Sequence, residues 1–584
     1  MNFSTWEEIV ADADREGEVE PISKPPGTPG VLEIIGKGLT AEDLIDAHRR
    51  DADQRQRQIE SEPLPATIYD VVAEAAAEVP DQLAWNFFET EEAWTYRQIV
   101  DTVNCLASAL SRLGVAKGTH VGVMLPNRPA FPLTWLALGR LGAVMIPINI
   151  GYTGRELDYV VNDGDVDYLV IDAACLPTLD AMAERPARLA EERIVVHGGP
   201  IAPGRHGFDA LIGFGDPDFV PFETAGPDDL MNIQYTSGTT GFPKGCMLTH
   251  SYWVGTGKVA ARRDGIVLKN IFANQPFYYM DPQWMTLMAA FQRGTLHAVL
   301  KPSGSRFMER ARRFSIHFCI FPEVVYKQPA HARDADNAIR RANIYGIRPS
   351  IHASIEERFN FAAREAFGMT EVGSTLFVPI EDRAMVGQGS CGRPVAFRRC
   401  RIVDDEGRDV PVGEVGELIV AGFNIIRGYY KKPEATAQAF FGEWFRTGDL
   451  FRRDARGYHY IVGRKKDMIR RSGENIAARE VESVLLEMPE VRDVAVIGVK
   501  DPDRGEEVKA LVVLAPGHSP QTVPPARLLD HARSRLARFK VPRYVAYRDS
   551  FPRTPSMKIR KGELRSETAD LRQGAYDAVD NVWR

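Results

Sequence analysis

Short apolar runs alternate with amphipathic helical segments along the first third of the chain, and few architectures accommodate that pattern. Ala84-Trp85-Asn86-Phe87-Phe88 reads as a strand. Thr95-Tyr96-Arg97-Gln98 opens a helix through NCLASALSRLG, with Thr95 as its cap and Gly114 as its stop. HVGVMLPN is a short buried strand, AFPLTWLALGRLG a helix, and AVMIPIN a strand again. Strand–helix alternation of this kind predicts an α/β fold with a largely parallel sheet. Near residue 396 the texture changes: FRRCRIVDDEGRDVPVGEVGELIVAG carries alternating strands broken by Asp-Glu-Gly and Val-Gly-Glu turns, hence β-hairpins. After Gly463-Arg464-Lys465-Lys466-Asp467 comes a compact α+β pattern: the helix AREVESVLLEM, the strand DVAVIGV, the turn Asp501-Pro502-Asp503-Arg504-Gly505 and the strand EVKALVVL. At 584 residues the chain exceeds what one hydrophobic core supports. The expected organisation is a polar, partly helical extension over 1–64, a large domain of α/β subdomains plus a β-rich part over 65–463, a boundary at 464–467, and a small α+β domain over 468–584.

Composition narrows the function classes. A net charge of −7 gives no global positive field, so nucleic acid is not an expected partner. Basic residues do crowd locally, with eleven Lys or Arg between His531 and Arg565 against Asp549 and Glu563. Either a solvated surface or a face for a polyanionic small molecule fits that run. The six cysteines form no C-x-x-C pair, so reduced thiols of a cytoplasmic protein are expected rather than a zinc site or a disulfide framework. The acidic MNFSTWEEIVADADREGEVE lacks a signal pattern, and no apolar run reaches the roughly 18 residues of a membrane span.

The strongest chemical signal is Tyr235-Thr236-Ser237-Gly238-Thr239-Thr240-Gly241-Phe242-Pro243-Lys244-Gly245. Glycines let backbone N–H groups approach phosphate oxygens, hydroxyls donate hydrogen bonds, and a lysine supplies a point charge. A flexible linker would not sit between an apolar strand (LMNIQ) and a helix start (CMLTH). A Walker loop is excluded because Pro243 and Gly245 flank Lys244, where Gly-Lys-Ser/Thr is required.

This loop resembles the signature of the adenylate-forming superfamily, which holds acyl-CoA synthetases, adenylation domains of peptide synthetases and firefly luciferase. Four further segments match in the family's order, over roughly residues 65 to 565. Phe367-Gly368-Met369-Thr370-Glu371 resembles the aromatic-G-x-T-E motif, which implies adenine against Phe367 and Gly368, phosphate on Thr370 and Mg²⁺ on Glu371, a hard oxygen ligand. Read alone, that segment is also a helix C-terminus capped by Gly368. Thr447-Gly448-Asp449 resembles the T-G-D motif, in which Asp449 would bind the ribose hydroxyls. Arg464 would lie near the ribose, Lys466 at the hinge, and Ser472 and Gly473 beside the pantetheine of coenzyme A. Pro552-Arg553-Thr554-Pro555-Ser556-Met557-Lys558 resembles the terminal motif whose lysine enters the site during adenylation, so Lys558 is the candidate catalytic residue.

Two departures stand out. Met557 replaces the family's usual glycine, and at φ > 0 it would add about 1–3 kcal/mol of strain. Ile344-Tyr345-Gly346-Ile347-Arg348-Pro349 is bulkier and more cationic than the usual Gly-Gly-Ala-like turn. The acyl pocket is placed at Pro276–Trp284, with Tyr279 where relatives carry histidine and Trp284 alongside. This stretch and the Ser-Gly-Glu-Asn segment are similar to bacterial crotonobetaine/carnitine-CoA ligases, which invites Asp281 as a counter-charge for a cationic acid. The stronger expectation for Asp281 is a helix cap followed by Pro at the first helical position. His250 and His317 are expected to be packing or turn residues.

The resemblance implies an acid–CoA ligase using ATP, Mg²⁺ and coenzyme A, with a mobile small domain that turns about Lys466. A stand-alone adenylating enzyme that loads a carrier protein, and a non-enzymatic adenylate-binding protein, stay open beside it. So does a homodimer.

Overall fold

The computed structural model describes residues 41–236, 243–472, 474–554 and 558–584. The chain divides into two compact units, 1–51 and 52–584. In the first, residues 41–51 are helical and belong to helix α1 (Ala41–Ser61). In the second, the later turns of that helix bury Ala52 and Ile59, Arg55 pairs with Glu381, and Asp53 meets Arg393 at 2.9 Å. The expected partly helical extension therefore ends as a packed helix.

The second unit is the α/β fold the sequence predicts, built among the described residues on three sheets. A seven-stranded sheet takes five parallel strands, His206–Gly207, Ile194–His197, Tyr168–Asp172, His120–Met124 and Val144–Pro147, and then β1 (Leu230–Thr236). It closes on β2 (Lys244–Thr249), which runs antiparallel to β1 with Thr236 opposite Lys244. Helix Tyr96–Arg112 covers this sheet behind a capping box in which Thr95 Oγ1 and Gln98 satisfy each other's backbone N–H groups. CMLTH is not a helix start: residues 244–249 pair with β1, and helix α2 (His250–Arg262) begins only after Thr249, whose side chain accepts from the Tyr252 N–H.

A fourteen-stranded sheet carries the middle of the chain. Helix α3 (Met280–Gln292) packs on α2 so closely that a Cβ on Gly257 would lie 2.6 Å from Leu287 Cβ. Gly257→Ala would overpack that seam, at a cost of about 1–3 kcal/mol. Strands β3 (Arg341–Ile344) and β4 (Ala362–Met369) are parallel, and β4 then turns into antiparallel β5 (Gly373–Phe377). Gly368 is thus inside a hairpin strand and caps no helix. From there the pairing is antiparallel, through β6 (Trp444–Arg453) and β7 (His459–Arg464). The carboxyl end of β4 is therefore the point where parallel pairing gives way, the kind of crevice where α/β sheets receive ligands.

Beyond Arg464 a one-turn helix, Lys465–Asp467, leads into a seven-stranded mixed sheet. Helix α4 (Ala478–Leu485) buries Val481 and Leu485 in a cluster with Ile469, Ile476, Val494 and Val512. Nine of the eleven cations between His531 and Arg565 are in ion pairs with carboxylates. That run is mostly spent on internal and surface pairing, the solvated-surface reading, and Lys558 stands outside it.

Candidate active site

The hairpin of β1 and β2 carries the glycine-rich segment. Tyr235 anchors its entry by donating to Asp163 Oδ2 at 2.8 Å, and Tyr159 anchors its exit on the Pro243 carbonyl at 2.9 Å. Thr236 Oγ1 donates to the Lys244 carbonyl at 3.4 Å. Ser237, Gly238, Thr239, Thr240 and Gly241 lie outside the described residues. Lys244 Nζ stands 4.4 Å over the Tyr429 ring, a cation–π contact, and donates no hydrogen bond among the described residues.

Tyr429 connects this lysine to the next motif, for its hydroxyl donates to Glu371 Oε1 at 3.0 Å. Thr370 and Glu371 form the turn between β4 and β5, held by Tyr252 Oη on the Thr370 carbonyl at 2.9 Å and by the Ile426 N–H on the Glu371 carbonyl at 2.9 Å. Gly368 is required there, since a Cβ would lie 2.6 Å from the Gly373 carbonyl oxygen. Phe367 packs edge-on against Phe451 at 5.0 Å.

On the facing hairpin, Asp449 of β6 is opposite Arg464 of β7, with Arg464 Nε 2.6 Å from Asp449 Oδ1. The Asp449 side chain is only 1% exposed, yet neither of its oxygens accepts an aligned hydrogen bond among the described residues. Burial pushes its carboxyl up to about 6, against the pull of Arg464, Lys558 and Arg479. Thr447 sets the strand for it by donating to the Leu418 carbonyl at 2.7 Å and accepting from the Asp449 N–H at 3.1 Å. A buried carboxylate held by one ion pair, with no aligned hydrogen bond to either oxygen among the described residues, retains acceptor capacity that suits a vicinal diol.

Lys558 is tied to Thr554: its N–H donates to Thr554 Oγ1 at 3.1 Å and its carbonyl accepts from the Thr554 N–H at 2.8 Å. Its residue keeps an accessible surface while enough protein surrounds the ammonium to pull its pKa down, by burial first and Arg464 second, against Asp449 and Glu371. The structure therefore brings Lys558, Asp449, Arg464 and Glu371 into one electrostatic neighbourhood. Met557 lies outside the described residues. Lys466 sits in the turn after β7, its pKa drawn down by burial and then by Arg464. Ser472 is an exposed turn residue at φ 52°, and its N–H donates to the Arg504 carbonyl at 2.8 Å. Gly473 is outside the described residues. No described hydrogen bond joins Ser472 to the Asp449 neighbourhood.

At the other end, α3 begins two residues earlier than expected. Tyr279 is its N-cap, and Asp281 is its second residue, capping nothing. The predicted cap with Pro at the first helical position is thus incorrect, because Pro282 falls third. Asp281 Oδ1 accepts from Trp284 Nε1 at 2.9 Å, and burial pushes the carboxyl up to about 6. Trp284 is buried edge-on to Phe318 at 6.0 Å, and Tyr279 packs on Tyr278 at 4.7 Å. His250 Nδ1 accepts from the Ile68 N–H at 3.3 Å and His317 Nδ1 from the Lys269 N–H at 3.0 Å; burial lowers both pKa values to about 4, which suits neutral packing residues.

Several residues of this cleft carried no sequence signal. Tyr429 is one of two adjacent tyrosines, distinguished only by its place between Lys244 and Glu371. Arg479 of α4 reaches toward Asp449 and Glu365, its Nη2 3.4 Å from where a Cβ on Gly346 would be. Glu365 accepts from the Gly346 N–H and braces the Tyr345-Gly346 turn.

No group of three metal-ligating side chains occurs among the described residues. Glu371 alone suits Mg²⁺, which binds through one or two carboxylates plus substrate phosphates and water. It is buried, and its Oε1 is steadied by Tyr429.

An AMP-binding enzyme is what this fold and cleft define: the chain matches that family over residues 72–430 and the AMP-binding enzyme C-terminal domain over 480–558, and it belongs to the family. Among curated relatives, it is 35% identical over 486 residues to a feruloyl-CoA synthase of Amycolatopsis sp, covering 81% of this chain and 94% of the relative. It is 30% identical over 490 residues to a crotonobetaine/carnitine–CoA ligase of Salmonella typhi, covering 81% and 93%. Among solved structures, ATP-bound MatB from Rhodopseudomonas palustris superposes with a TM-score of 0.76 at 26% identity, covering 85% of this chain and 98% of that one. The anthranilate CoA ligase AuaEII with anthranoyl-AMP shares the fold at 0.77 and 24% identity, covering 87% and 98%. No described helix is long and apolar enough to cross a membrane.

Proposed function

We propose that this enzyme is an AMP-forming carboxylic acid–CoA ligase. In the first half-reaction a carboxylate oxygen of the acid attacks the α-phosphorus of ATP, and the bond to the bridging oxygen breaks to release pyrophosphate. In the second, the thiolate of coenzyme A attacks the acyl carbon, and the bond to the adenylate oxygen breaks to release AMP. The observation that carries this reading is the buried Asp449 carboxylate, ion-paired with Arg464 and within electrostatic reach of Lys558. Asp449 is suited to accept from both ribose hydroxyls, and Arg464 favours its ionised form against burial. Lys558 lies where an ammonium can offset charge gathering between the carboxylate and the α-phosphate, the kind of preorganised electrostatics that dominates such reactions. Lys244, over the Tyr429 ring, and the Thr236–Lys244 segment are assigned to the phosphates, and Thr370 and Phe367 to the phosphate and adenine. Mg²⁺ would be held by Glu371 and would neutralise phosphate charge.

For the second half-reaction we assign the hinge to Lys466, so that the 468–584 domain turns, withdraws Lys558 and presents Ser472 and Gly473 to the pantetheine. A cytoplasmic location, where ATP and coenzyme A are abundant, accompanies this assignment. The test is pyrophosphate release with Mg·ATP across a panel of carboxylic acids, each with and without coenzyme A. Release together with a CoA thioester by mass is expected. Adenylate without thioester would transfer the acceptor role to a carrier protein. ATP binding with no pyrophosphate from any acid would overturn the ligase assignment in favour of an adenylate-binding protein.

A further inference from the structure

Three consecutive carbonyls run through the turn that joins β4 to β5, and each is held by a different part of the chain. Tyr252 Oη donates to the Thr370 carbonyl at 2.9 Å, the Ile426 N–H to the Glu371 carbonyl at 2.9 Å, and Arg398 Nε to the Val372 carbonyl at 2.8 Å. The first two donors are neutral. The third is a buried cation, and its place there needs a reason.

Arg398 opens the strand Arg398–Val403 and is only 8% exposed. Burial pulls its pKa down to about 10, so it is a cation at neutral pH, yet no carboxylate pairs with it among the described residues. A buried charge is costly unless its hydrogen bonds are met, and here main-chain and amide oxygens meet them. Besides Val372, Nη1 donates to the Phe397 carbonyl at 3.1 Å and to Asn424 Oδ1 at 2.9 Å, and Nη2 to the Asn424 carbonyl at 3.1 Å. All but one of the guanidinium N–H groups are thus engaged. Little is left with which to hold a substrate anion, so the guanidinium acts on the protein itself.

What it joins is specific. A Cβ on Gly373 would lie 3.2 Å from Arg398 Nη2 and 3.3 Å from Tyr252 Oη, so guanidinium and hydroxyl close on the same point of the turn. Asn424, gripped through both its oxygens, donates from Nδ2 to the Ser251 carbonyl at 2.8 Å. Ser251 precedes Tyr252 in the first turn of α2, and Ile426 follows Asn424 closely in the chain. Arg398 therefore fixes Val372 directly and, through Asn424, ties down the neighbours that fix Thr370 and Glu371. The backbone that presents it is itself set: Phe397 takes φ 65°, uncommon for a residue with a Cβ, and its N–H donates to Glu60 Oε1 at 2.7 Å.

We propose that Arg398 is a positioning residue: it sets the Thr370–Glu371 turn, before the nucleotide arrives, in the shape that receives the phosphates and Mg²⁺. This rests on the ligase reading above, which gives those two residues to phosphate and metal. A guanidinium suits the task because its planar fork spans several fixed oxygens at once, and an ammonium on a flexible stem does not.

Arg398→Lys keeps the charge and loses the fork, whereas Arg398→Gln loses both. In pyrophosphate release by the full-length enzyme, each should raise the Mg²⁺ concentration for half-maximal rate by about tenfold or more and lower kcat, leaving KM for the acid little changed. In a Glu371→Gln background the same substitutions should add less than about a twofold loss of rate, since the group they position is already gone. A fall in kcat with unchanged Mg²⁺ dependence, or losses that multiply in the double variant, would assign Arg398 to the fold alone and overturn the inference. Hydrogen exchange on the ligand-free wild type decides the matter even if neither variant folds. The Val372 amide, bonded to the Met369 carbonyl at 3.1 Å, should exchange within about tenfold of the amides of β4 and β5 beside it. Faster exchange, brought to the pace of those strands by Mg·ATP, would show a turn shaped by the nucleotide and overturn the inference while leaving the ligase standing. Silence in pyrophosphate release with every acid would overturn the ligase reading and, with it, this one.

Discussion

Asp449 and Asp281 are both carboxylates that burial pushes up to about 6, and the protein treats them in opposite ways. Asp449 has cations around it, Arg464 at 2.6 Å with Lys558 and Arg479 beyond, but no aligned hydrogen bond. Asp281 has a hydrogen bond from Trp284 but no cation partner among the described residues. The difference teaches what each end of the cleft lacks. Where positive charge is already in surplus, the missing partners are neutral hydroxyl donors and the anionic phosphates beside them. Where no cation is paired among the described residues, burial dominates the ionisation and one indole N–H is the hydrogen bond the carboxyl accepts. Complementarity is thus legible from what a buried group is denied as much as from what it holds.

The sharpest way to break the nucleotide half of this contrast is to remove its mobile charge. Lys558→Ala should lower the rate of adenylate formation by about 10²–10³-fold, the range for deleting one preorganised donor at a transition state. Conversion of a preformed acyl-adenylate to thioester should fall far less. Equal loss in both halves would show that Lys558 serves the fold rather than the first step.

Next in size, Asp449→Asn should raise KM for ATP by about 10–100-fold, since a hydrogen bond to a charged group contributes about 1.5–3 kcal/mol. An ATP analogue lacking the ribose 2′- and 3′-hydroxyls should lose most of its advantage in wild type and little in the variant. If the variant discriminates the analogue as wild type does, Asp449 does not read the ribose.

The same carboxylate makes a pH prediction. Its folded pKa, about 6, lies above the 3.8 of a free aspartate, so the ionised form is the costly one in the ligand-free protein. That cost is full above about 6 and fades as the pH falls toward 3.8. Protonation therefore relieves the fold while removing an acceptor for ATP. KM for ATP should rise several-fold as pH falls from 7 through about 6 to 5, and the thermal shift given by ATP should shrink over the same interval. A flat KM across that range would place the ionisation elsewhere.

The two ends also differ in how far the sequence disclosed them. The nucleotide end rests on short motifs at β-hairpins, where local chemistry fixes local shape: Gly368 excludes a Cβ, and Thr447 pins the strand before Asp449. Such segments declare themselves. The strand–helix order was equally readable, because Thr95 with Gln98 and the helix-ending Gly114 act within a few residues. The acyl end depends on long-range packing. Asp281 looked like a cap because Asp-Pro favours one locally, but Tyr279 took the cap position, and the carboxylate accepts from Trp284 within the helix instead. CMLTH misled for a related reason: its pairing partner, β1, lies across the glycine-rich turn, and that pairing outweighed the helix signal at Thr249. Tyr429 and Arg479 enter the cleft from distant segments, and no periodicity marks them.

The smallest expected effect concerns the turn that looked least informative. Arg348 stands where the chain departs from a Gly-Gly-Ala-like turn, and its Nη1 donates to the carbonyl of Leu486, the residue that ends α4, at 2.9 Å. A cation on the last carbonyls of a helix is favourable both as a hydrogen bond and against the helix dipole. Arg348 Nη2 is at the same time held by Glu323 at 3.0 Å, which limits the entropy lost in making the contact. The bond exists in the arrangement that keeps Lys558 beside Asp449, and a turn of the 468–584 domain about Lys466 would break it. Arg348 should therefore bias the enzyme toward the adenylating arrangement by about 1 kcal/mol, a partly exposed charged hydrogen bond's worth. Arg348→Ala is expected to slow adenylate formation about fivefold, by the corresponding shift in population, and to leave thioester formation from added acyl-adenylate unchanged or slightly faster. Slowing of both half-reactions together would mean that Arg348 merely stabilises the large domain, and the contrast between the two ends of the cleft would then owe nothing to the position of α4.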